Sequence, residues 1–243
     1  MSRALLSVLW QTGVMSAPRT ARERARAELT GEIKAAARRQ LETSGAESLS
    51  LRAISRELGM VSSALYRYFP SRDELLTALV IDAYDALGEA AESAAQKEYP
   101  HPREAWVAVY AAVRDWARAN PHEYALIYGS PITGYQAPQT TVQPAARVPM
   151  VLLNILSQAH AEGWLPEVEA PEPSGRLAEQ VDTIAPLAPG VPRPMLLRLV
   201  IAWTQLFGMI SFELFGQLVG SMDPADDFFL ETSRQMAKYV GIS

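Results

Sequence analysis

Residues 49–72 combine small hydroxyl side chains with tyrosines and arginines in one short stretch of the chain. Serine hydroxyls can donate to or accept from base edges, and an alanine methyl can contact a thymine methyl. Arginine and tyrosine side chains are suited to phosphate oxygens. This chemistry predicts contact with the major groove of double-stranded DNA. The candidate DNA-binding residues are Ser50, Arg52, Ser62, Ser63, Ala64, Tyr66, Arg67, Tyr68 and Arg72.

The order of these residues separates base contacts from phosphate contacts. Residues 62–64 come at the front of a predicted helix, where small side chains can approach base edges. Residues 66–68 follow with two phenols and a guanidinium for phosphate oxygens. Arg67 could instead bind a guanine, and the two tyrosines could be ordinary half-buried packing. Three flanking residues would contact the DNA backbone: Ser50, Arg52 and Arg72.

Four predicted helices over residues 20–95 must position these side chains. The first begins at the capping box Thr20-Ala21-Arg22-Glu23 and places apolar residues at positions 29, 33, 37 and 41 on one face. The fourth begins at a second box of this kind, Ser71-Arg72-Asp73-Glu74, and continues as a long helix with an apolar face.

The second and third helices are predicted to form a helix-turn-helix. Ser50 is expected to cap the second helix, whose apolar residues recur at spacings of three and four. Gly59 supplies the turn, because glycine adopts a left-handed backbone without a Cβ clash. Ser62 is expected to cap the third helix, and Pro70 ends it.

A longer pattern runs through these helices: Ser50-x-Arg52-x-Ile54-Ser55-x-x-Leu58-Gly59-x-x-Ser62-x-x-x-Leu65-Tyr66-x-Tyr68-Phe69-Pro70-Ser71-Arg72-Asp73-Glu74-Leu75-Leu76. It resembles the DNA-binding domain of TetR-family transcriptional regulators over about residues 20–90. One departure is Arg72, where the family more often has lysine, so the charge is kept. The resemblance implies a dimeric regulator, usually a repressor, that reads a pseudo-palindromic operator. It also implies a helical C-terminal domain that dimerises and binds a small-molecule effector.

Charge is divided unevenly along the chain. The formal net charge is −5, but residues 1–72 hold 12 Lys and Arg against 6 Asp and Glu, whereas residues 73–243 hold 10 against 21. Phosphate binding depends on the local field rather than on the total. We therefore expect the basic N-terminal third to contact DNA and the acidic remainder to face away.

The pattern stays helical beyond the break at Tyr99-Pro100-His101-Pro102. This break is predicted to separate a DNA-binding domain at 20–90 from a helical ligand-binding and dimerisation domain at 100–243. Segment 166–194, rich in proline and acids, is expected to be a solvated linker or an irregular excursion. No segment alternates as a strand does, so the predicted fold class is all-α. Further helices are predicted at about 103–119, 120–128, 145–161, 195–219 and 225–240.

The predicted helix at 195–219 is apolar nearly all round. Such a helix is buried in a large core, spans a membrane or packs against a partner subunit. Polar residues, including Arg198 and Glu213, interrupt it, so we expect a homodimer contact rather than a membrane span. Gly208 and Gly216 would permit close approach of a backbone or a ligand. Glu213 could pair with a polar ligand group or with Arg198 across the dimer, or it could face solvent.

Aromatic residues of the C-terminal part form the candidate effector surface. Rings with polar tips are typical of small-molecule pockets, although each ring alone is more often part of a core. The pattern Trp203-x-x-x-Phe207-Gly208 also resembles the C-terminal domain of a TetR subgroup with a Trp…Gly signature. We therefore expect a mainly apolar effector. The candidate ligand-binding residues are Trp106, Tyr110, Tyr124, Tyr128, Trp203 and Phe207.

No catalytic, metal or cofactor site can be assembled from the sequence. Cysteine is absent and the three histidines are far apart, so a metal-ligand spacing is missing. Neither a nucleophile elbow nor a phosphate-binding glycine loop is present. We expect no enzyme activity, metal or cofactor. Two other functions stay open: a helical carrier or enzyme with a chance helix-turn-helix match, and a DNA-binding architectural protein without a small ligand.

Residues 1–19 are predicted to be an extension or a disordered basic arm, with Met15 rather than Met1 as the true start. The apolar patch at 4–10 is short for a secretory signal and lacks a convincing cleavage region. The absence of cysteine fits a cytoplasmic location.

Overall fold

The computed structural model describes residues 20–165 and 171–242, and in this part of the chain there are eleven α-helices and no strand. The all-α prediction is confirmed. The predictions for residues 1–19 lie outside the described residues. The helices are α1 (Ala21–Ser44), α2 (Leu51–Glu57), α3 (Ser62–Leu65), α4 (Arg72–Ala95), α5 (Pro102–Ala119), α6 (Pro121–Tyr128), α7 (Val142–Ala145), α8 (Arg147–Ala161), α9 (Gly175–Asp182), α10 (Arg193–Leu214) and α11 (Asp226–Tyr239).

Helix α1 begins as the sequence predicts. The Thr20 hydroxyl accepts a hydrogen bond from the Glu23 amide, and the Glu23 carboxylate accepts one from the Thr20 amide. These bonds satisfy two of the amides that a helix start leaves unpaired. The predicted apolar face is buried through Ile33, Ala37 and Leu41. Helix α1 therefore packs against α2 and α4 and shares one apolar core with them.

The turn between α2 and α3 also follows the prediction. The Ser50 hydroxyl accepts from the Ala53 amide and caps α2. Gly59 has a φ of +64°, a left-handed conformation that other residues adopt only with strain. Leu51 and Ile54 of α2 are buried against α1, which fixes one half of the helix-turn-helix.

Helix α3 differs from the prediction in its cap and its length. Val61, not Ser62, occupies the cap position, and the Ser62 hydroxyl lies 3.1 Å from the Ser55 hydroxyl instead. The α-helix ends at Leu65, and hydrogen-bonded turns carry the chain on to Phe69, which is buried. The cap prediction is wrong because the nearest partner for Ser62 is on α2 rather than on its own first turn.

Helix α4 is shared by two apolar cores. Its first half supplies Leu75, Leu76 and Leu79 to the N-terminal core formed with α1, α2 and α3. Its second half supplies Leu87 and Ala91 to a larger C-terminal core, which also takes in residues from α5, α6, α8, α10 and α11. A single rigid helix therefore runs from the helix-turn-helix into the C-terminal domain.

Of the two alternatives predicted for 166–194, a solvated linker or an irregular excursion, the solvated linker is wrong for the residues described from 171 onward. This segment contains α9 and a short 3₁₀ helix at Ala185–Leu187. Val181, Ala188 and Val191 are buried in the C-terminal core. The prolines interrupt regular structure, but burying the apolar residues between them in the core lowers the free energy of the folded protein.

Helix α10 ends at Leu214, short of the predicted 219. It has the length and hydropathy of a membrane span, but 44% of its most apolar window is buried inside the protein. Leu196, Ala202, Leu206 and Ile210 are among its residues in the C-terminal core. The fold of the domain itself accounts for the buried part of this window, and the rest of the helix carries exposed apolar residues.

Candidate nucleic-acid interface and effector core

Four of the candidate DNA-binding side chains are exposed, and within residues 20–165 and 171–242 they form no side-chain hydrogen bond or ion pair. Arg52 lies in the first turn of α2, and the other three lie on α3 and in the turn that follows it. Their hydroxyl and guanidinium groups are therefore available to an external partner. The four residues are Arg52, Ser63, Tyr66 and Arg67.

Two further candidates, Ser50 and Ser62, have intramolecular partners. Ser50 caps α2, as described above. Ser62 belongs to a hydroxyl pair, because the buried Ser55 donates to the Arg52 carbonyl at 3.0 Å and lies 3.1 Å from the Ser62 hydroxyl. A buried hydroxyl needs such partners. The pair ties α2 to α3 and sets the angle between the two helices.

Tyr68 and Arg72 are also engaged within the protein. The Tyr68 ring lies 5.1 Å from the Arg26 guanidinium of α1, a cation–π contact. Arg72 Nη2 donates to the carbonyl oxygens of Ala46 and Glu47 at 2.9 and 3.3 Å. These contacts hold the turn after α3 to α1 and the start of α4 to the turn before α2. The phosphate contacts of Tyr68 and Arg72 stay predictions.

Sequence reasoning missed one residue of this surface, Val61. It precedes α3 directly and is 71% exposed, although it is apolar. Ala64, which the sequence does single out, is half-buried nearby on α3. The signal was present in the sequence, because Val61 follows the Gly59 turn at a position that falls outside the apolar period of both flanking helices.

The aromatic candidates of the C-terminal domain form two clusters, both of which contact α10. In the first, Trp106 and Tyr110 of α5 are fully buried, with ring centroids 5.2 Å apart. The Tyr110 hydroxyl donates to the Ala202 carbonyl of α10 at 2.7 Å. Burial raises the pKa of Tyr110 well above its ordinary value. This cluster joins α5 to α10.

The second cluster joins α6 to α10. Tyr128 stacks on Phe207 with centroids 4.1 Å apart, and Trp203 meets the same Phe207 edge-on at 6.4 Å. Tyr124 lies 5.2 Å from Tyr128, and its hydroxyl donates to the Phe207 carbonyl at 3.0 Å and lies 2.8 Å from Ser211 Oγ. Burial raises the pKa of Tyr124 to about 12. The six predicted residues thus fall into two packed groups rather than one.

Each cluster contains an unsatisfied donor. Trp106 Nε1 and Trp203 Nε1 are buried and have no hydrogen-bond partner among the described residues. A buried N–H without an acceptor costs about 1–3 kcal/mol. An acceptor brought in by a bound molecule would recover that cost. No group of three His, Asp or Glu residues in the described part is arranged to hold a metal ion.

Family models match both halves of the chain. The model described as "Bacterial regulatory proteins, tetR family" matches residues 33–79, and "Tetracyclin repressor-like, C-terminal domain" matches residues 106–236. The chain belongs to the TetR family. The resemblance seen in the sequence is confirmed, and the protein is a DNA-binding transcriptional regulator and not an enzyme.

Two relatives illustrate the similarity of this TetR-family chain to known regulators. The "HTH-type transcriptional regulator Rv1816" of Mycobacterium tuberculosis is 39% identical over 220 residues, which is 87% of this chain and 92% of the relative. The "HTH-type transcriptional regulator Mb1846" of Mycobacterium bovis matches with the same identity and coverage. The similarity therefore spans both domains.

Solved structures agree with this assignment. The crystal structure of the protein SCO4313 superposes with a TM-score of 0.71 and 32% identity, covering 89% of this chain and 98% of that one. A protein with unknown function from Rhodococcus sp. RHA1 superposes with a TM-score of 0.66 at 24% identity, covering 88% and 95%, and supports the fold alone.

Glu213 of this TetR-family protein pairs within the chain, which differs from the alternatives raised by the sequence. Its carboxylate accepts two bonds from Arg114 of α5, both at 2.7 Å, while Arg114 Nη1 donates to Asp226 at 3.0 Å. The hydrogen bond from Arg114 holds the pKa of Asp226 below its ordinary value. Arg114 also lies 4.8 Å from the Phe229 ring. The end of α10 and the start of α11 are thereby fastened to α5.

One face of α10 in this regulator carries apolar side chains into solvent. Ile201 and Phe212 of α10 are 42% and 56% exposed, and Phe215, the residue directly after the helix, is 46% exposed; the three recur at helical spacing. Gly208 lies on the same exposed face, and a Cβ atom there would meet nothing within 4 Å. Contiguous exposed apolar surface is a common feature of protein interaction sites.

Proposed function

We propose that this TetR-family protein is a repressor that binds a pseudo-palindromic operator as a dimer and is released by a small, mainly apolar effector. The observation that carries the DNA part is the set of exposed side chains without partners on α2, α3 and the following turn. A basic reading surface of this kind gains affinity from phosphate contacts and specificity from base contacts.

The side chains divide into two roles. Ser63 and Ala64 at the front of α3 are proposed to contact base edges, and Val61 beside them offers methyl groups to a thymine methyl. Arg52, Tyr66 and Arg67 are proposed to bind phosphate oxygens through free donors. The other candidates are proposed to position these groups and to contact the DNA backbone at the edges of the reading surface: Ser50, Ser62, Tyr68 and Arg72.

Dimerisation is proposed to use the exposed apolar face of α10. Ile201, Phe212 and Phe215 would be covered by the same face of a second copy, with Gly208 letting the two helices approach closely. A two-fold pairing of identical faces is the commonest arrangement of soluble oligomers. It would also present two helix-turn-helix units to the two half-sites of an operator.

The effector is proposed to bind between α5, α6 and α10, where both aromatic clusters lie. Trp106 and Trp203 leave indole N–H donors unpaired there. The best ligand would therefore be apolar in its body and would carry hydrogen-bond acceptor atoms such as carbonyl or carboxylate oxygens. It acts only if it binds one dimer geometry better than the other. The cytoplasm is the proposed location of the regulator.

A band-shift experiment on the DNA upstream of the regulator's own gene tests the DNA-binding part. Wild-type protein should retard this fragment. Arg52→Ala should weaken the complex about tenfold, and Tyr66→Phe should weaken it a few-fold. Arg176→Ala, which removes an exposed arginine of α9, is the matched control and should bind as wild type. Equal binding by wild type, Arg52→Ala and Tyr66→Phe would overturn the assignment of the reading surface.

Native mass spectrometry of the purified protein tests the effector part. A retained small molecule should be lost selectively from Trp106→Phe and Trp203→Phe, which keep an aromatic side chain but remove the indole N–H donor. Adding the molecule back should dissociate the wild-type DNA complex. If both variants retain the molecule with unchanged affinity, the two indole donors are not part of the effector site.

A further inference from the structure

The loop that follows α6 is fastened to the DNA-binding unit. The Glu47 carboxylate accepts a hydrogen bond from the Thr133 amide at 2.9 Å. The Tyr135 hydroxyl lies 3.0 Å from the Thr77 hydroxyl of α4. Ile132 and Tyr135 also pack against the N-terminal apolar core, although they belong to the C-terminal part of the chain. The loop at 129–138 is therefore a strap between the two domains.

The strap meets the DNA-binding unit at the turn that leads into α2. Glu47 lies in the 3₁₀ helix Ala46–Ser48, just before the cap of α2. The backbone carbonyls of this turn accept from Arg72, so the turn is held from the α4 side as well. The bond from the Thr133 amide lowers the pKa of Glu47, so its carboxylate is charged at neutral pH.

Helix α4 alone cannot fix how the DNA-binding unit is oriented. It is the one covalent connection between the two cores, and bending of a single long helix would redirect the DNA-binding unit. Contacts away from the α4 axis restrict such bending. Among the described residues, two polar contacts of this kind join α1 and the turn before α2 to the α6 region: Glu47 with the Thr133 amide, and Arg38 of α1 with Glu123 of α6 at 2.7 Å.

We propose that Glu47 is a positioning residue for operator binding, acting by fastening the turn before α2 to the 129–138 strap. The proposal rests on the proposed function as a dimeric operator-binding protein. In such a dimer each DNA-binding unit must present its reading surface at the spacing of the half-sites. Once one unit is bound, the fixed orientation of the other raises its effective concentration at the second half-site.

Three single variants separate this role from a simple effect of charge. Glu47→Ala removes a negative charge and the acceptor, Glu47→Gln removes the charge but keeps an acceptor oxygen, and Glu42→Ala removes a charge from an exposed position on α1. Losing a negative charge near DNA should strengthen binding. We expect Glu42→Ala and Glu47→Gln to bind the full operator at least as tightly as wild type, and Glu47→Ala to bind it about fivefold more weakly.

A half-site probe distinguishes orientation from recognition. The operator is located by footprinting within the upstream fragment, and one half is scrambled to leave a single half-site. Glu47→Ala should bind this half-site as Glu42→Ala does, because the reading surface itself is unchanged. Equal weakening on the half-site and on the full operator would overturn the positioning role, as would full-operator binding by Glu47→Ala equal to that of Glu42→Ala.

Amide hydrogen exchange in the absence of DNA directly measures how well the bond between Thr133 and Glu47 protects the Thr133 amide. The Thr133 amide should exchange faster in Glu47→Ala than in wild type, and Glu47→Gln should restore its protection. Unchanged exchange at Thr133 in Glu47→Ala would overturn the proposal. A wild-type protein that retards no upstream fragment would instead overturn the proposed function, so the two failures are distinguishable.

Discussion

Gly88 of α4 lies so close to Arg147 of α8 that a Cβ atom at Gly88 would come within 2.6 Å of Arg147 Nε and 2.7 Å of Arg147 Cβ. The Arg147 guanidinium donates two hydrogen bonds to the Glu92 carboxylate. It donates two more to Asp85, one to the backbone carbonyl and one to the carboxylate, and all four are 2.7–2.9 Å long. Residues 85, 88 and 92 lie on one face of α4. The missing side chain at Gly88 therefore leaves room for Arg147 to bind Asp85 and Glu92, an arrangement we call the Arg147 clamp.

Gly88→Ala should destabilise the protein by about 1–3 kcal/mol, because overpacking at a rigid contact displaces the neighbour. The contact includes Arg147 Cβ, which sits next to the backbone, so rotation of a flexible side-chain end cannot relieve it. Gly31→Ala is the matched control in α1, where a Cβ atom meets nothing within 4 Å. It should stabilise by up to about 1 kcal/mol, since alanine favours helix. Urea unfolding measures the stability of both variants. Equal stabilisation by Gly88→Ala and Gly31→Ala would contradict the close contact between Gly88 and Arg147.

The Arg114 pairing with Glu213 gives a second stability test. Arg114 is 7% exposed, and Arg114→Met leaves the Glu213 carboxylate without its bidentate partner. We expect a loss of about 3–5 kcal/mol, the usual cost of breaking a buried ion pair. Arg118→Met is the control, because Arg118 contacts the same two carboxylates but is about half exposed. Its loss should stay below about 1 kcal/mol, and similar losses for the two variants would refute the assignment.

The N-terminal unit could be predicted closely because its signals are local. The Thr20–Glu23 capping box and the Ser50 cap depend on atoms within one helical turn, and Gly59 is dictated by its own φ. The cap of α3 failed for the opposite reason. Ser62 finds its partner on another helix, at Ser55, and no pattern within α3 contains that contact.

The C-terminal part was less predictable because its determinants are distant in sequence. Glu213 meets Arg114 across 99 positions, so no local pattern could choose between this pair and a contact with Arg198 or a ligand. Residues 171–194 look like a linker by composition, yet Val181 and Val191 reach the core. The aromatic candidates were recognisable by type, but only the packing divides them into two clusters.

Arg67→Ala should reduce both the affinity for the operator and its salt dependence. A lost phosphate contact lowers the slope of log K against log salt by about 0.9, so a dimer that loses two contacts should show a drop of about 1.8. Affinity should fall by a similar factor on specific and nonspecific DNA. Band shifts over a range of salt concentrations measure the slope. A variant with an unchanged slope and lost sequence preference would instead favour the guanine contact.

Phe212→Lys should convert the dimer to monomer. Phe212 is 56% exposed in the single chain, and a charge placed there would be buried without a partner on the proposed α10 face. Leu230→Lys is the control, since Leu230 is an exposed apolar residue of α11. Sedimentation velocity should give a monomer for the first variant and the wild-type mass for the second. A dimer that survives Phe212→Lys would place the interface elsewhere.

Tyr124 should make stability fall in alkali. Its pKa in the folded protein is raised to about 12, above the ordinary value near 10. The folded state therefore holds the phenolic proton more tightly than the unfolded chain does, and this contribution is complete below pH 10 and is lost as pH rises towards 12. Each such tyrosine adds a slope of about 1.4 kcal/mol per pH unit.

Tyr124→Phe should lower stability at neutral pH by about 1–2 kcal/mol, because the bonds to the Phe207 carbonyl and Ser211 are lost. It should also make the alkaline decline shallower, since phenylalanine has no proton to lose. Tyr66→Phe removes an exposed hydroxyl from the reading surface and should leave the stability at neutral pH as it is in wild type. Urea unfolding at a series of pH values measures both effects, and an unchanged alkaline slope in Tyr124→Phe would mean that its phenol is solvated rather than buried against α10.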